Sequence, residues 1–141
     1  MLFAVALLAP FLLGCSPQGY RAMKVGQCLP SSADVVGERE QRPPTVPCSA
    51  PHRYEVYAVT SLDLDPKWPG DSAVDEAARQ SCYDRFEAGT GKDPLELPDG
   101  VKVVSVAPTE DGWTTSQDRS VECLVALPAD QSESFISVKR H

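Results

Sequence analysis

Residues 53–62 read RYEVYAVTSL, and this stretch is the clearest β-strand in the chain. It is dense in β-branched and aromatic residues, and turn-forming segments that contain proline lie on both sides of it. Side chains alternate between the two faces of a strand. The alternation divides the apolar residues into two sets: Tyr54, Val56 and Ala58 on one face, and Tyr57 and Val59 on the other. We therefore expect both faces of this strand to be at least partly covered.

The segment that follows has helical character over residues 71–88. Its apolar residues recur at four-residue steps and form one stripe: Val74, Ala78, Cys82 and Phe86. Ser72 and Asp75 have the spacing of a capping box at the start, and Gly89 and Gly91 are suited to end the helix. Because Cys82 lies on the apolar stripe, we expect it to form a structural disulfide rather than a reactive thiol.

Further strands are predicted on both sides of this strand and helix. Four segments are candidates: residues 25–29, 101–107, 119–127 and 135–138. Segments 30–47 and 108–118 are rich in polar and turn-forming residues and are predicted to be loops. The sequence thus predicts a small α+β domain with two disulfides, in which one principal helix (71–88) packs on an antiparallel sheet.

The first residues of the chain form an uncharged apolar run that ends in LLGC at residues 12–15. The run is too short to cross a bilayer of about 30 Å, but it has the length of a secretory signal. A cysteine directly after a small residue resembles a bacterial lipoprotein signal, in which Cys15 is lipidated and becomes the mature N-terminus. The alternative is an uncleaved apolar N-terminus or a buried core helix. The absence of Lys and Arg from residues 1–14 departs from the usual signal.

The lipoprotein interpretation predicts an extracytoplasmic protein held at the cell membrane by its acyl chains. Two chains on one cysteine suffice for stable anchoring, whereas one binds only marginally. The expected organisation is a signal peptide (1–14), a lipidated cysteine with a short tether (15–24), a folded domain (25–127) and a polar tail (128–141). The formal net charge of −7 disfavours nucleic acid as a partner.

The cysteine count agrees with this compartment. Five cysteines are present, and assigning Cys15 to the lipid leaves an even set that is suited to two disulfides. Three connectivities are possible. We favour Cys28–Cys48 and Cys82–Cys123, because each closes a local loop. No C-x₂-C pair occurs, so we expect no metal and no cofactor.

Candidate functional side chains are few. His52 is the one histidine inside the domain, so any Ser-His-Asp or Cys-His system would have to use it. With Glu55 it forms an H-x-x-E spacing, but two ligands without a third do not make a metal site, and we expect a structural or surface histidine. Trp68 and Trp113 lie in turns and, together with Tyr57, are our first candidates for a binding surface. His52 and Glu55 complete the set of five residues considered for that surface.

Several runs resemble the septum-formation domain family of actinobacterial extracytoplasmic proteins. They are VGQCL (25–29), VPCSAPH (46–52), EVYAV (55–59), WPG (68–70) and the Asp118-Arg119 pair before Cys123. The resemblance covers residues 25–127 and implies an envelope protein associated with cell division, with no catalytic residues to transfer. The chain departs from the family at Gln27, where an acid is usual, and at Gln117, where glycine is usual.

Two functional hypotheses follow. The first is a non-enzymatic, lipid-anchored binding or scaffold module that acts in septum formation or cell-wall assembly, with an envelope or division protein or a cell-wall glycan as its partner. The second is a hydrolase that acts on the cell wall and uses His52 with a carboxylate such as Glu55 as acid and base.

Overall fold

The computed structural model describes residues 23–35 and 43–136 of the chain. Four antiparallel strands form one sheet in the order β1-β2-β4-β3: β1 (Cys28–Leu29), β2 (His52–Ser61), β3 (Lys102–Val106) and β4 (Ser120–Gln131). The helices are α1 (Asp71–Asp84), α2 (Phe86–Thr90) and α3 (Glu110–Thr115), with a 3₁₀ turn at Pro94–Glu96. The predicted α+β fold with an antiparallel sheet is confirmed.

The principal helix packs through the predicted apolar stripe. All four stripe residues are fully buried: Val74, Ala78, Cys82 and Phe86. The Cys82–Cys123 disulfide joins α1 to β4 at the centre of this interface, and the Tyr57 hydroxyl donates to the backbone carbonyl of Cys82 at 2.7 Å. The helix therefore packs against β3 and β4, and the Tyr57 hydroxyl links it to β2.

The ends of the helix differ from the prediction. Gly70 is the N-cap, and no side chain caps the first turn, so the expected capping box is wrong. The helix ends at Asp84, and α2 continues from Phe86 through Gly89 to Thr90. The terminating glycine is Gly91, whose φ of 74° is the left-handed conformation typical of a helix C-terminus.

A β-bulge changes the alternation predicted for β2. The register between β2 and β4 shifts between Val56 and Ala58, and a bulge of this kind breaks the two-residue period. Tyr57 and Ala58 consequently both belong to the core cluster under α1. Val56 packs in a second cluster on the opposite face of the sheet.

The second cluster is covered by the N-terminal part of the domain. Its buried members are Met23, Leu29, Ala33, Val35, Val56, Val106 and Leu124. The first strand is shorter than predicted, because Val25 and Gly26 form a turn in which Gly26 has a φ of 89°. The Cys28–Cys48 disulfide fastens the following loop to β1, so both predicted disulfides are confirmed.

Three features of the second half were not anticipated. β4 continues past residue 127 to Gln131. The predicted loop 108–118 contains α3, and the Thr109 hydroxyl caps this helix by accepting from the Gly112 N–H at 3.0 Å. Residues 135–136 lie outside any strand, and the rest of the predicted last strand, 137–138, lies outside the described residues.

The predicted signal, Cys15 and residues 15–22 of the tether also lie outside the described residues. Within residues 23–35 and 43–136, no helix combines the length and the apolar character needed to cross a membrane.

Candidate functional site

The H-x-x-E spacing forms a buried, paired site at the start of β2. His52 Nε2 lies 2.8 Å from Glu55 Oε1, and His52 Nδ1 lies 2.8 Å from the backbone carbonyl oxygen of Ala50. The two side chains are 0 % and 1 % exposed. Two of the sequence-predicted candidates thus meet in the structure, but no part of either reaches the surface.

The neighbours of His52 define the protons on its ring. A carbonyl oxygen and a carboxylate oxygen both accept hydrogen bonds, so each ring nitrogen must donate one. Both contacts are made at once, so the site is a buried His52–Glu55 pair in which each ring nitrogen already has a protein partner.

Glu55 is fully occupied as an acceptor by the end of the domain. Its Oε1 accepts from the Phe135 N–H at 2.6 Å, and its Oε2 accepts from the Ser134 hydroxyl at 2.8 Å and the Ile136 N–H at 3.1 Å. Burial raises the pKa of the Glu55 carboxyl, but the bonds from Phe135, His52, Ile136 and Ser134 outweigh this effect and hold the pKa below its ordinary value. The side chain acts as an anionic clamp on residues 134–136.

Sequence reasoning missed a third member of this site, Cys28. The antiparallel register places Cys28 opposite Glu55, and side chains in such pairs point to the same face of the sheet. Among the described residues, the Cys28 sulfur, a His52 nitrogen and a Glu55 oxygen all lie within 4.8 Å of one another. The H-x-x-E spacing indicates two of the three residues. Finding Cys28 also requires the register in which β1 pairs with β2, and the sequence spacing does not give that register.

The three aromatic candidates lie inside the fold or at its edge. Tyr57 is 2 % exposed and stacks edge-on against Phe86. Trp113 is 1 % exposed, and Trp68 is partly buried with its ring edge-on to Trp113 at 5.6 Å. Together with His52 and Glu55, four of the five residues considered for a binding surface are buried, and Trp68 alone is partly exposed.

The contact between Trp113 and Arg119 lies at a groove that sequence reasoning did not identify. The Arg119 guanidinium lies 3.5 Å from the centroid of the Trp113 ring and donates to the backbone carbonyls of Trp113, Asp118 and Pro66. A groove of about 580 Å³ opens beside this stack. Its lining residues are Leu62, Asp63, Leu64, Pro66, Trp113, Thr114, Gln117 and Arg119.

One residue of the groove wall has an uncommon backbone conformation. Gln117 has a φ of 55°, and among the described residues it is the only non-glycine with a positive φ. This conformation costs a residue with a Cβ roughly 1–2 kcal/mol. It explains on physical grounds why glycine suits this position better than glutamine, and such outliers are frequent at functional sites.

Comparison with known proteins gives one match. A family model described as septum formation matches residues 17–123, which is more than half of the chain. Searches of curated proteins and of solved structures found no match. The matched range includes Cys28, His52, Glu55 and the residues that line the groove.

Proposed function

The chain belongs to the septum formation family, and we propose that it acts there as a non-enzymatic module that is held at the membrane by lipid on Cys15 and binds a partner. The family assigns a role related to septum formation. The remaining parts of the proposal, which are the anchor, the binding role and the lack of catalysis, rest on physical arguments from the sequence and the site.

The observation that carries the non-enzymatic proposal is the burial of the His52–Glu55 pair. A general base needs an acceptor atom within hydrogen-bond reach of the substrate proton. Both His52 nitrogens bond to protein oxygens, and Glu55 accepts from His52 and three other donors. These contacts support a structural pair and disfavour the hydrolase that uses His52 and Glu55 as acid and base.

The proposed anchor would hold the domain close to the membrane. Met23, the first described residue, is buried in the second core cluster and lies eight positions after Cys15. Eight residues span at most about 28 Å, even when fully extended. A lipidated Cys15 would therefore keep the domain at the bilayer surface, within reach of other membrane-attached division proteins.

The groove beside Trp113 is the surface that best suits a partner. Leu64 is exposed on one side of it, and Asp63 and Arg119 add opposite charges. A glycan usually stacks on an open aromatic face, but here Arg119 covers the Trp113 ring. The mixture of exposed apolar and charged groups therefore favours a polypeptide over a cell-wall glycan as the partner.

Septum formation in cells that lack the native protein tests the proposal. The complementing variants are Cys15→Ser for the anchor and Leu64→Asp for the groove, with Tyr83→Asp as a control. Tyr83 is 39 % exposed and Leu64 is 36 % exposed, but Tyr83 does not line the groove. Septum number and spacing are counted by microscopy after wall staining, and membrane attachment is measured by fractionation.

We expect Cys15→Ser to leave the membrane fraction or to stay unprocessed, and Leu64→Asp to remain attached while septation fails. Tyr83→Asp should behave like the parent. Unchanged membrane attachment of Cys15→Ser would reject the anchor, and normal septation with Leu64→Asp would reject the groove. Release of wall fragments by the purified parent, but not by folded His52→Gln, would favour the hydrolase instead.

A further inference from the structure

We propose that Cys28, His52 and Glu55 form a zinc site that the Cys28–Cys48 disulfide closes and that reduction of this disulfide opens. The oxidised protein uses His52 and Glu55 as an ion pair, and the reduced protein can use the same two side chains with Cys28 as metal ligands. This inference is independent of the anchor and of the groove.

The three donor atoms have the chemistry and the spacing that zinc requires. Zinc binds thiolate sulfur, imidazole nitrogen and carboxylate oxygen at about 2.0–2.3 Å in tetrahedral sites. Ligand atoms in such a site lie about 3.5 Å from one another. The Cys28, His52 and Glu55 donors already lie within 4.8 Å of one another, so shifts on the order of 1 Å bring all three onto one ion, and a water molecule supplies the fourth ligand.

The surrounding contacts hold two ligands in the orientation that a metal needs. His52 Nδ1 donates to the Ala50 carbonyl oxygen at 2.8 Å, which directs Nε2 towards Glu55. A backbone carbonyl on the far ring nitrogen is the usual support of a metal-binding histidine. Glu55 is held by the N–H groups of Phe135 and Ile136. The outer contacts of a zinc site are therefore already present in the oxidised protein.

The disulfide is what excludes zinc from this arrangement. A thiolate is the ligand form of cysteine, and the Cys28 sulfur is bonded to Cys48. Cys28 is buried, whereas Cys48 is partly exposed. An incoming dithiol therefore meets the Cys48 sulfur first, and Cys28 leaves as a thiolate beside His52 and Glu55.

A dithiol can reduce the Cys28–Cys48 disulfide by thiol–disulfide exchange, with all atoms and electrons accounted for. One thiolate of the dithiol attacks the Cys48 sulfur, the Cys28–Cys48 bond breaks, and a mixed disulfide forms on Cys48. The second thiol then displaces Cys48, so that the dithiol becomes a disulfide and its two protons end on the two cysteines. Zinc binding releases the proton of the Cys28 thiol and the Nε2 proton of His52 to water.

Cobalt titration of the full chain tests the site without a reductant. The background carries Cys15→Ser, and the Cys48→Ser variant of this chain leaves Cys28 as a free thiol. We expect one equivalent of Co²⁺ to give a thiolate-to-cobalt charge-transfer band and the visible bands of tetrahedral cobalt, and one equivalent of Zn²⁺ to displace it. Adding His52→Ala or Glu55→Gln should weaken the metal affinity at least about tenfold.

The matched control is Cys28→Ser, which leaves the thiol on Cys48 instead. We expect no tetrahedral cobalt spectrum from this variant or from the oxidised parent. An equal spectrum from Cys28→Ser, or a folded Cys48→Ser with none, would overturn the proposal. If Cys48→Ser does not fold, the oxidised parent is reduced with a phosphine and titrated, and the absence of the spectrum there would also overturn it.

Discussion

The backbone N–H of Phe135 donates to Glu55 Oε1 at 2.6 Å, which joins residues 80 positions apart. The last described residues are therefore attached to the first long strand by a buried carboxylate and not by strand pairing. Ile136 enters the core under α1 as a consequence, because its N–H is bonded to the other Glu55 oxygen. The closure of the domain thus uses the negative charge of Glu55 together with the Lys92 ammonium, which donates to the Phe135 carbonyl oxygen at 2.8 Å.

Replacing that charge should cost a large share of the stability. In Glu55→Gln the side chain keeps its size, but His52 loses its anionic partner. The four hydrogen-bond donors that now share two carboxylate oxygens would have only one amide oxygen to bond to. Breaking one side of a buried ion pair costs about 3–5 kcal/mol, so we expect a loss of about 3 kcal/mol. Urea unfolding followed by tryptophan fluorescence measures it.

Glu76→Gln is the matched control for this substitution. Glu76 also pairs with a cation, Arg79, but both side chains are exposed on α1, and surface pairs contribute little. We expect its unfolding midpoint to stay near that of the parent. Equal midpoints for Glu55→Gln and Glu76→Gln would contradict the clamp role of Glu55.

The same carboxylate predicts how stability depends on pH. Burial raises the pKa of Glu55, but the bonds from Phe135, His52, Ile136 and Ser134 lower it below the ordinary value of 4.5. The unfolded chain binds a proton more readily than the folded one, so stability rises with pH through this range. The Glu55 contribution should be complete above about pH 4.5 and should be lost as the pH falls through the folded pKa.

Unfolding free energies of the parent and Glu55→Gln, measured from neutral pH down to pH 3, isolate this contribution. The difference between the two proteins should shrink at the acid end, since other carboxylates affect both alike. A difference that stays constant over the whole range would show that the Glu55 charge does not stabilise the fold.

The contrast between these residues and α1 explains what the sequence could predict. Val74, Ala78 and Cys82 reveal a helix because their spacing is local, and pairing Cys82 with Cys123 follows from laying that helix on a strand. The Glu55–Phe135 bond has no local signal, because nothing in the spacing of residues 52–55 indicates that the chain returns there. The H-x-x-E pattern identified two side chains of the site but not their partners.

Backbone irregularities account for the remaining differences. The bulge at Tyr57 moves Ala58 to the helix-covered face, and alternation cannot anticipate an inserted residue. The helix α3 was hidden in a segment of turn-forming residues, although Thr109 followed by two acidic residues is a recognisable helix start. The groove could not be predicted, because it needs α3 and the loop at residues 62–66 to come together.

Gln117 offers a direct test of backbone strain at the groove. Because its φ is 55°, Gln117→Gly should relieve the left-handed conformation and stabilise the protein by about 1 kcal/mol. Ser116→Gly is the control, since Ser116 has a φ of −113° and glycine there adds only flexibility. The midpoint temperature of thermal unfolding should rise for Gln117→Gly and should not rise for Ser116→Gly. A lower midpoint for Gln117→Gly would rule out strain at this position.

Arg119 should prove more important for its shape than for its charge. Its guanidinium stacks on Trp113 and donates to the carbonyls of Trp113 and Pro66, and a lysine ammonium cannot reproduce this planar fork. We expect Arg119→Lys to lose about 1–2 kcal/mol of unfolding free energy and to shift tryptophan emission to the red as water reaches the ring. Arg79→Lys keeps an exposed cation on α1 and should change neither quantity. Equal unfolding free energy and equal tryptophan emission for Arg119→Lys and the parent would contradict this role. The packing of Arg119 on Trp113 would then not hold the groove wall.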